Sequence, residues 1–357
     1  MTDATKALAS ITPKIRKQLH QSGAEMLAKC GIAFEFRYIL GIRRPPSAFL
    51  ICGKSVDKGV TTDLDHKIRT GELEQESVIL DVVRDAVDND PEKDSIELED
   101  DDAGKSVQQV IGDTKDKAVR LVKAHHGVVA PTIRPAQVAR KFSIDLDRFL
   151  RSRAKDFRQQ AEKQSDRHAA RVLDQQARYL NVAARDGVDF VGEMDIVEKY
   201  MEPQDEADRV VIRDTKTSGK SPAANVADES HQLSAYALAS QVIDKTLPDA
   251  VKLDYLIDLK RETKTMTVES TRTGQDLQAY LNRIVNAVAT IESGMFTPAP
   301  NAAWWCSAKW CAYHSMCPHV VQKKFVEIAP LGATEKTKEN ADAGTGSVNS
   351  NQAGTQS

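Results

Sequence analysis

Long apolar runs are missing from this chain of 357 residues. No stretch approaches the roughly 18 consecutive apolar residues of a membrane-spanning helix. Residues Met1 to Ser10 lack the apolar centre of a secretory signal, so a cytoplasmic chain is expected. An excess of one charge is missing as well. The 49 Lys and Arg nearly balance 52 Asp and Glu, leaving a net charge of −3. There is no global basic field, and any contact with a polyanion must come from a local patch. Cysteine is scarce and odd in number, five in all, which argues against a disulfide framework. No internal repeat is visible. What remains is ordinary: 41% hydrophobic residues, enough for a core, in a length that suits one decorated domain or two to three smaller ones.

Residues 14–40 read as helical and stop before Pro45-Pro46. A second helix is expected over 53–69, where Val56, Val60, Leu64 and Ile68 recur every fourth residue. Residues 88–102 carry nine acidic side chains and one lysine, Lys93, within an insert over 88–105. A solvated, mobile loop is expected there, and a mimic of a polyanion is the sharper alternative. Residues 143–180 read as one long helix with at most one break, with Ser143 as N-cap. Seven cations stand against three acids within 151–171: Arg151, Arg153, Lys155, Arg158, Lys163, Arg167 and Arg171. They are either a solvated helix face or a phosphate-tracking surface. Strands follow at 188–197 and 210–214, then a helix at 228–243, a hairpin at 253–259 and 265–268, and a helix at 274–292. That interleaving implies an α/β sheet. One domain over 14–330 is expected, between a flexible N-terminus (1–13) and a disordered tail (331–357).

Three short motifs stand in order: Gly192-Glu-Met-Asp195, Asp214-Thr-Lys216 and Gln232-Leu-Ser-Ala-Tyr236. Asp-x-Lys alone says little, because it also occurs at Asp65, Asp113 and Asp258. The set says more. Side chains two apart on a strand share a face, so Asp214 and Lys216 point together. Residues four apart on a helix do likewise, which joins Gln232 to Tyr236. Two carboxylates on neighbouring strands suit Mg²⁺ or Mn²⁺, with the Thr215 carbonyl as a further oxygen ligand. Lys216 then orients or deprotonates a water, or stabilises charge in a transition state. The bland alternative is a pair of strand-end aspartates with a surface lysine. A further segment, Ala48-Phe-Leu-Ile-Cys-Gly-Lys-Ser55, fits a loose phosphate-loop spacing. Its apolar residues make a buried turn entering a helix the expected structure, and an ATPase dependent on Lys54 the remote one.

In this order the three motifs resemble the RecB-like branch of the PD-(D/E)XK nuclease superfamily. The resemblance implies a restriction-endonuclease-like α/β fold: a central mixed sheet flanked by helices, with a largely helical N-terminal part. It implies Asp195 and Asp214 as metal ligands, Lys216 as the catalytic lysine, and Gln232 and Tyr236 as the helix motif. Cys30-Gly-Ile-Ala-Phe34 through Tyr38-Ile-Leu-Gly41 is similar to the opening of AddB-type nuclease domains, and the likeness covers roughly 25–320, apart from the acidic insert. Where the branch carries Gly-x-x-x-His, this chain has Gly53-Lys-Ser-Val-Asp57. Asp57 either replaces the histidine as an oxygen ligand or is a helix-surface residue.

Cys306, Cys311 and Cys317 lie among Trp304, Trp305, Trp310 and Tyr313. Thiolates so spaced, with a distant fourth, suit an iron–sulfur cluster or a structural zinc. Iron–sulfur members of the branch hold a 4Fe–4S cluster through one cysteine before the nuclease core and three after it. Cys30, Cys306, Cys311 and Cys317 match that layout, although the first gap in the last group is four residues where the family has two. His314 and His319 keep a Cys3His zinc site open. Cys52 reads as a small buried hydrophobe. The resemblance further implies metal-dependent DNA hydrolysis, from ends, in recombination, repair or phage-type DNA processing. DNA would be the partner, with a helicase or single-strand-annealing protein as a separate chain. The alternative is a non-catalytic DNA-end-binding module of the same fold.

Overall fold

The computed structural model describes residues 18–98, 102–184, 188–202, 207–259, 262–300 and 302–321. The expected flexible N-terminus and disordered tail fall outside these residues. The chain divides into two units, Met1–His314 and Ser315–Ser357. The second contributes Ser315, Met316, Cys317 and a short helix, Pro318–Val321, to the described residues.

The first unit is built on a six-stranded mixed sheet. Its strands are β1 (Gln18–His20), β2 (Pro135–Asp145), β3 (Asp189–Tyr200), β4 (Arg209–Ser218), β5 (Ala250–Asp258) and β6 (Thr263–Ser270). They run in the order β1-β3-β4-β5-β6, with β2 on the opposite edge of β3. β1 pairs with β3 and β4 with β5 in parallel, and the remaining pairs are antiparallel. The helices are α1 (Gln21–Lys29), α2 (Gly31–Phe34), α3 (Ala48–Thr70), α4 (Glu76–Asp88), α5 (Val107–Ala124), α6 (Leu146–Lys163), α7 (Arg167–Ala183), α8 (His231–Ile243) and α9 (Gly274–Ser293).

Each sheet face has its own core. Phe190, Met194, Ile212 and Leu253 pack against Leu233 and Tyr236 of α8 and Tyr280 and Ile284 of α9. Ile196 and Leu256 pack against Val60 and Leu64 of α3, Val83 of α4 and Leu121 of α5. Within β2, Phe142 and Ile144 join the first core, while Val138 packs on the second. Within β3, Met194 and Val197 join the first and Ile196 the second. The alternation therefore slips by one residue in both strands. The slip falls at Ala139, which has φ +48°, opposite Asp195 in the register. A left-handed residue inside a strand turns the pleat over, as a β-bulge does.

Several expected elements are corrected. The helix expected over 143–180 begins as strand: β2 runs to Asp145, because Phe142, Ile144 and Leu146 alternate onto the core. Asp145, not Ser143, caps α6 by accepting from the Arg148 N–H. Residues 164–166 then separate α6 from α7. The helix expected over 53–69 starts at Ala48, capped by Ser47. The phosphate-loop look-alike is thus the opening of α3, and Lys54 pairs with Asp90 and Glu92. The acidic segment is tied down over 88–98. Lys115 pairs with Asp88, Arg44 with Glu97, and Ile96 is buried beside Ile51 and Val110. Residues 99–101 lie outside the described residues.

His125, at the end of α5, is fully buried with neither ring nitrogen hydrogen-bonded. Burial lowers its pKa to about 4, and the Asp254 carboxylate only partly opposes this. The folded state therefore holds this imidazole neutral. Its contribution is complete above the ordinary histidine pKa and is lost as pH falls from there toward 4. We expect urea unfolding to show about 2 kcal/mol less stability at pH 5 than at pH 7 from this group. His125→Phe should flatten that dependence. An equal loss in both proteins would refute the assignment.

Candidate active site

The ladder between β3 and β4 ends at the pair Ile196–Arg213. Asp195 and Asp214 stand at the next position, where the two strands part. Asp195 also sits at the slip opposite Ala139, outside the β2 ladder, so its carboxylate is turned into the opening. It accepts the Thr215 N–H at 3.0 Å, replacing the strand partner that amide would otherwise seek. Gly192 lies against the Phe142 ring; a Cβ there would come within 2.5 Å of it. Phe142 in turn backs Tyr236 edge-on, with ring centroids 6.3 Å apart.

Asp214 is fully buried, and a closed ring of contacts runs from it. Lys216 Nζ lies 2.5 Å from Asp214 Oδ2 and donates to Gln232 Oε1 at 2.8 Å. Gln232 Nε2 donates to the Tyr236 hydroxyl oxygen at 2.6 Å. The Tyr236 hydroxyl donates to Asp214 Oδ1 at 3.3 Å. The direction is set by chemistry: an ammonium only donates, so the amide oxygen faces it and the amide nitrogen faces tyrosine. The phenol proton is then left for Asp214. Burial and the Asp214 charge push the tyrosine pKa up, keeping it a donor. α8 supplies Gln232 and Tyr236 one turn apart, with Ser230 capping it by accepting the Leu233 N–H.

The carboxylates are crowded. Burial, then the charge of Asp214, holds the Asp195 pKa well above the usual carboxylate range. Asp57 is raised by burial and by Glu193 and Asp214. It is open to solvent yet walled by protein, as in a cleft. α3 brings it there, because Gly53, one turn earlier, lies against Thr217 of β4. Burial opposes the Lys216 charge, but Asp214 and Asp195 outweigh it and raise the pKa. Lys216 is therefore an ammonium and no proton acceptor in this arrangement.

Among the described residues, no three His, Cys, Asp or Glu side chains converge as a finished metal set. The donors nevertheless suit a hard divalent cation. Asp214 Oδ2 is buried and receives no well-directed hydrogen bond, even from the adjacent lysine. Asp57, Glu193 and Asp195 bring further carboxyl groups to the same cleft, and the raised pKa values of Asp57 and Asp195 reflect a crowding that a bound dication would relieve.

The rival Asp-x-Lys motifs have ordinary roles. Asp258 pairs with Arg120 and Lys117, Asp65 with Arg69, and Asp113 with Lys105. Glu193 was not among the sequence candidates. It lies inside the Gly192–Asp195 motif, two residues before Asp195, and that spacing is the signal that marks it. Tyr255, whose charge environment includes Lys216, was also missed.

Cys30 caps α2, its sulfur accepting the Ala33 N–H at 3.5 Å. The Trp305 indole N–H donates to the Lys29 carbonyl at 3.4 Å, so the neighbours of Cys30 and Cys306 touch. Cys311 is half-buried in the same unit, and Cys317 belongs to the second unit. Cys52 is buried in the core beneath α3, and burial raises its thiol pKa to about 11.

The profile of the PD-(D/E)XK nuclease superfamily matches residues 18–318. The chain belongs to that superfamily. The mixed sheet flanked by helices is the restriction-endonuclease-like fold. Membership implies phosphodiester hydrolysis, and nucleases of this superfamily typically use Mg²⁺ or Mn²⁺. A crystal structure from Eubacterium rectale, described as a "Putative exonuclease", is similar at 11% identity over 93% of this chain and 96% of that one, with a TM-score of 0.44. A likeness that loose assigns no residue. No match was found among curated proteins. No helix of the described nuclease residues is long and apolar enough to cross a membrane.

Proposed function

We propose that this nuclease is a DNA exonuclease of the RecB-like, AddB-type branch, acting in recombination, repair or phage-type DNA processing. The observation that carries the hydrolytic reading is the ring Asp214–Lys216–Gln232–Tyr236, closed beside the Asp195 carboxylate. Asp195, Asp214, Asp57 and the Thr215 carbonyl would hold Mg²⁺ or Mn²⁺. The ion, when bound, supplies a water of lowered pKa and offsets the phosphate charge. Lys216 presents its ammonium to the developing negative charge. Gln232 and Tyr236 act through it, holding the lysine at the carboxylate.

DNA as substrate is supported by one flank of α6. Leu150, Ala154 and Phe157 face the core, which leaves Arg148, Arg151, Lys155 and Arg158 along an exposed side. Arg148, Lys155 and Arg158 have no acidic partner among the described residues. Such a row suits a phosphate backbone. We further propose that Cys30, Cys306, Cys311 and Cys317 hold a 4Fe–4S cluster, with structural Zn²⁺ as the alternative. The Trp305–Lys29 contact supports this by bringing the two cysteine segments together. Metal analysis of the purified protein decides between iron and zinc. A helicase or single-strand-annealing protein would be a separate chain.

The test is degradation of end-labelled linear and closed circular DNA with Mg²⁺, Mn²⁺ or chelator. Metal-dependent loss of linear DNA alone is expected. Cutting of circles would make the protein an endonuclease. Binding without cutting in either metal would leave an end-binding module.

A further inference from the structure

The tryptophans are unevenly placed. The chain has three, Trp304, Trp305 and Trp310, all within seven residues. Trp304 and Trp310 are 67% and 61% exposed, a costly place for the largest apolar side chains. They are not scattered. Trp304 meets Trp310 edge to face with centroids 5.4 Å apart, and meets Trp305 likewise at 5.7 Å. The cluster is held from behind: Trp305 donates to the Lys29 carbonyl, and buried Tyr313 donates to the Ile42 carbonyl at 3.0 Å. Anchored Trp305 thus meets Trp304, Trp304 meets Trp310, and the last two stay open to solvent.

The surroundings are basic. Lys309 Nζ lies 5.6 Å from the Trp310 ring centroid. Arg37 reaches Tyr313. Arg43 is exposed and has no acidic partner among the described residues. Residues 35–44 and 302–313 together carry four cations and one acid, Glu35; Arg44 is paired with Glu97, which leaves Arg37, Arg43 and Lys309. Fixed, exposed aromatic faces beside cations are the two components of a surface for unpaired nucleotides: bases stack and phosphates meet the charge.

We propose that Trp304 and Trp310 form a stacking platform for single-stranded DNA, flanked by Lys309, Arg37 and Arg43. This deepens the DNA reading given above and rests on it. It predicts contact with unpaired bases at a surface distinct from the carboxylates.

Because every tryptophan lies in the cluster, tryptophan fluorescence, excited where tyrosine does not absorb, reports on this patch alone. The experiment titrates the full-length protein, without added divalent cation, with a short oligo(dT) and with an abasic oligomer of equal length. Saturable quenching by oligo(dT), and much weaker binding of the abasic oligomer, is expected. Trp310→Ala should weaken oligo(dT) binding about tenfold or more, whereas Trp310→Phe should keep most of it. The phenylalanine variant guards against a merely unfolded alanine variant. Equal affinity for both oligomers, no quenching, or unchanged binding by Trp310→Ala would overturn the platform. So would sedimentation showing that the tryptophans are covered by a second copy. Quenching without cleavage of linear DNA in Mg²⁺ would keep the platform and remove the nuclease reading. Cleavage without quenching would do the reverse.

Discussion

Replacing Lys216 with alanine should lower hydrolysis of linear DNA by about a hundred- to a thousandfold, with the fold intact. The lysine touches both the buried Asp214 carboxylate and the Gln232 amide oxygen. It is the side chain that carries positive charge into the ring. Without it, Asp57, Asp195 and Asp214 crowd one another with less to offset them, and Gln232 loses its donor. The variant should therefore melt at a temperature more sensitive to added Mg²⁺ or Mn²⁺ than the parent does. Lys216→Arg should fold as well and still be slow, because a planar guanidinium does not occupy the position of an ammonium. Single-turnover cleavage and thermal melts with and without metal read both effects. A variant that cleaves at the parental rate would remove Lys216 from the chemistry.

Arg213→Ala should instead cost stability, about 3–5 kcal/mol in urea unfolding at neutral pH. Arg213 lies one residue before Asp214 on the opposite face of β4. Its guanidinium is buried between Glu198 and Asp254, and it meets both oxygens of Asp254 at 3.0 Å. The outer lone pairs are also used: the Arg134 N–H donates to Glu198 and the Thr267 hydroxyl to Asp254. Truncation leaves two buried carboxylates without their cation, which is the costly way to break such a set. Replacing Glu198, Arg213 and Asp254 together with apolar residues should cost much less. A loss below about 1 kcal/mol for the single change would show that water reaches the carboxylates. The two substitutions separate the faces of β4. One face carries the site, and the other fixes the strand that presents it.

The relation of Asp214 to Lys216, and of Gln232 to Tyr236, was legible because each pair obeys a local period, two on a strand and four on a helix. That those pairs meet one another is a tertiary fact, yet their order along the chain already suggested it. The aim of Asp195 was not legible. It depends on the slip at Ala139, in a strand where half-buried Arg140 and exposed Lys141 conceal the alternation of Phe142 and Ile144. Reading a helix from residue 143 was the consequence. Asp57 could be read two ways from sequence, and only the packing of α3 on β4 brings it beside the other acids. The Glu198–Arg213–Asp254 set joins residues 15 and 41 apart, beyond any periodic signal. The acidic segment read as mobile because its charges were counted without their partners. Lys54, Arg44 and Lys115 come from distant parts of the chain. A helix around Asp113 was legible and α5 contains it, but α4 was missed although Ile79, Val83 and Val87 mark one face.

The proposed hydrolysis requires the acidic cleft to hold a divalent cation beside Lys216. Calorimetric titration of Mn²⁺ into the protein and into Asp214→Asn tests it most directly. The substitution keeps shape and removes one charge from the buried carboxylate. Saturable binding to the parent and its loss in Asp214→Asn are expected. Equal binding by both, or none by the parent, would contradict it.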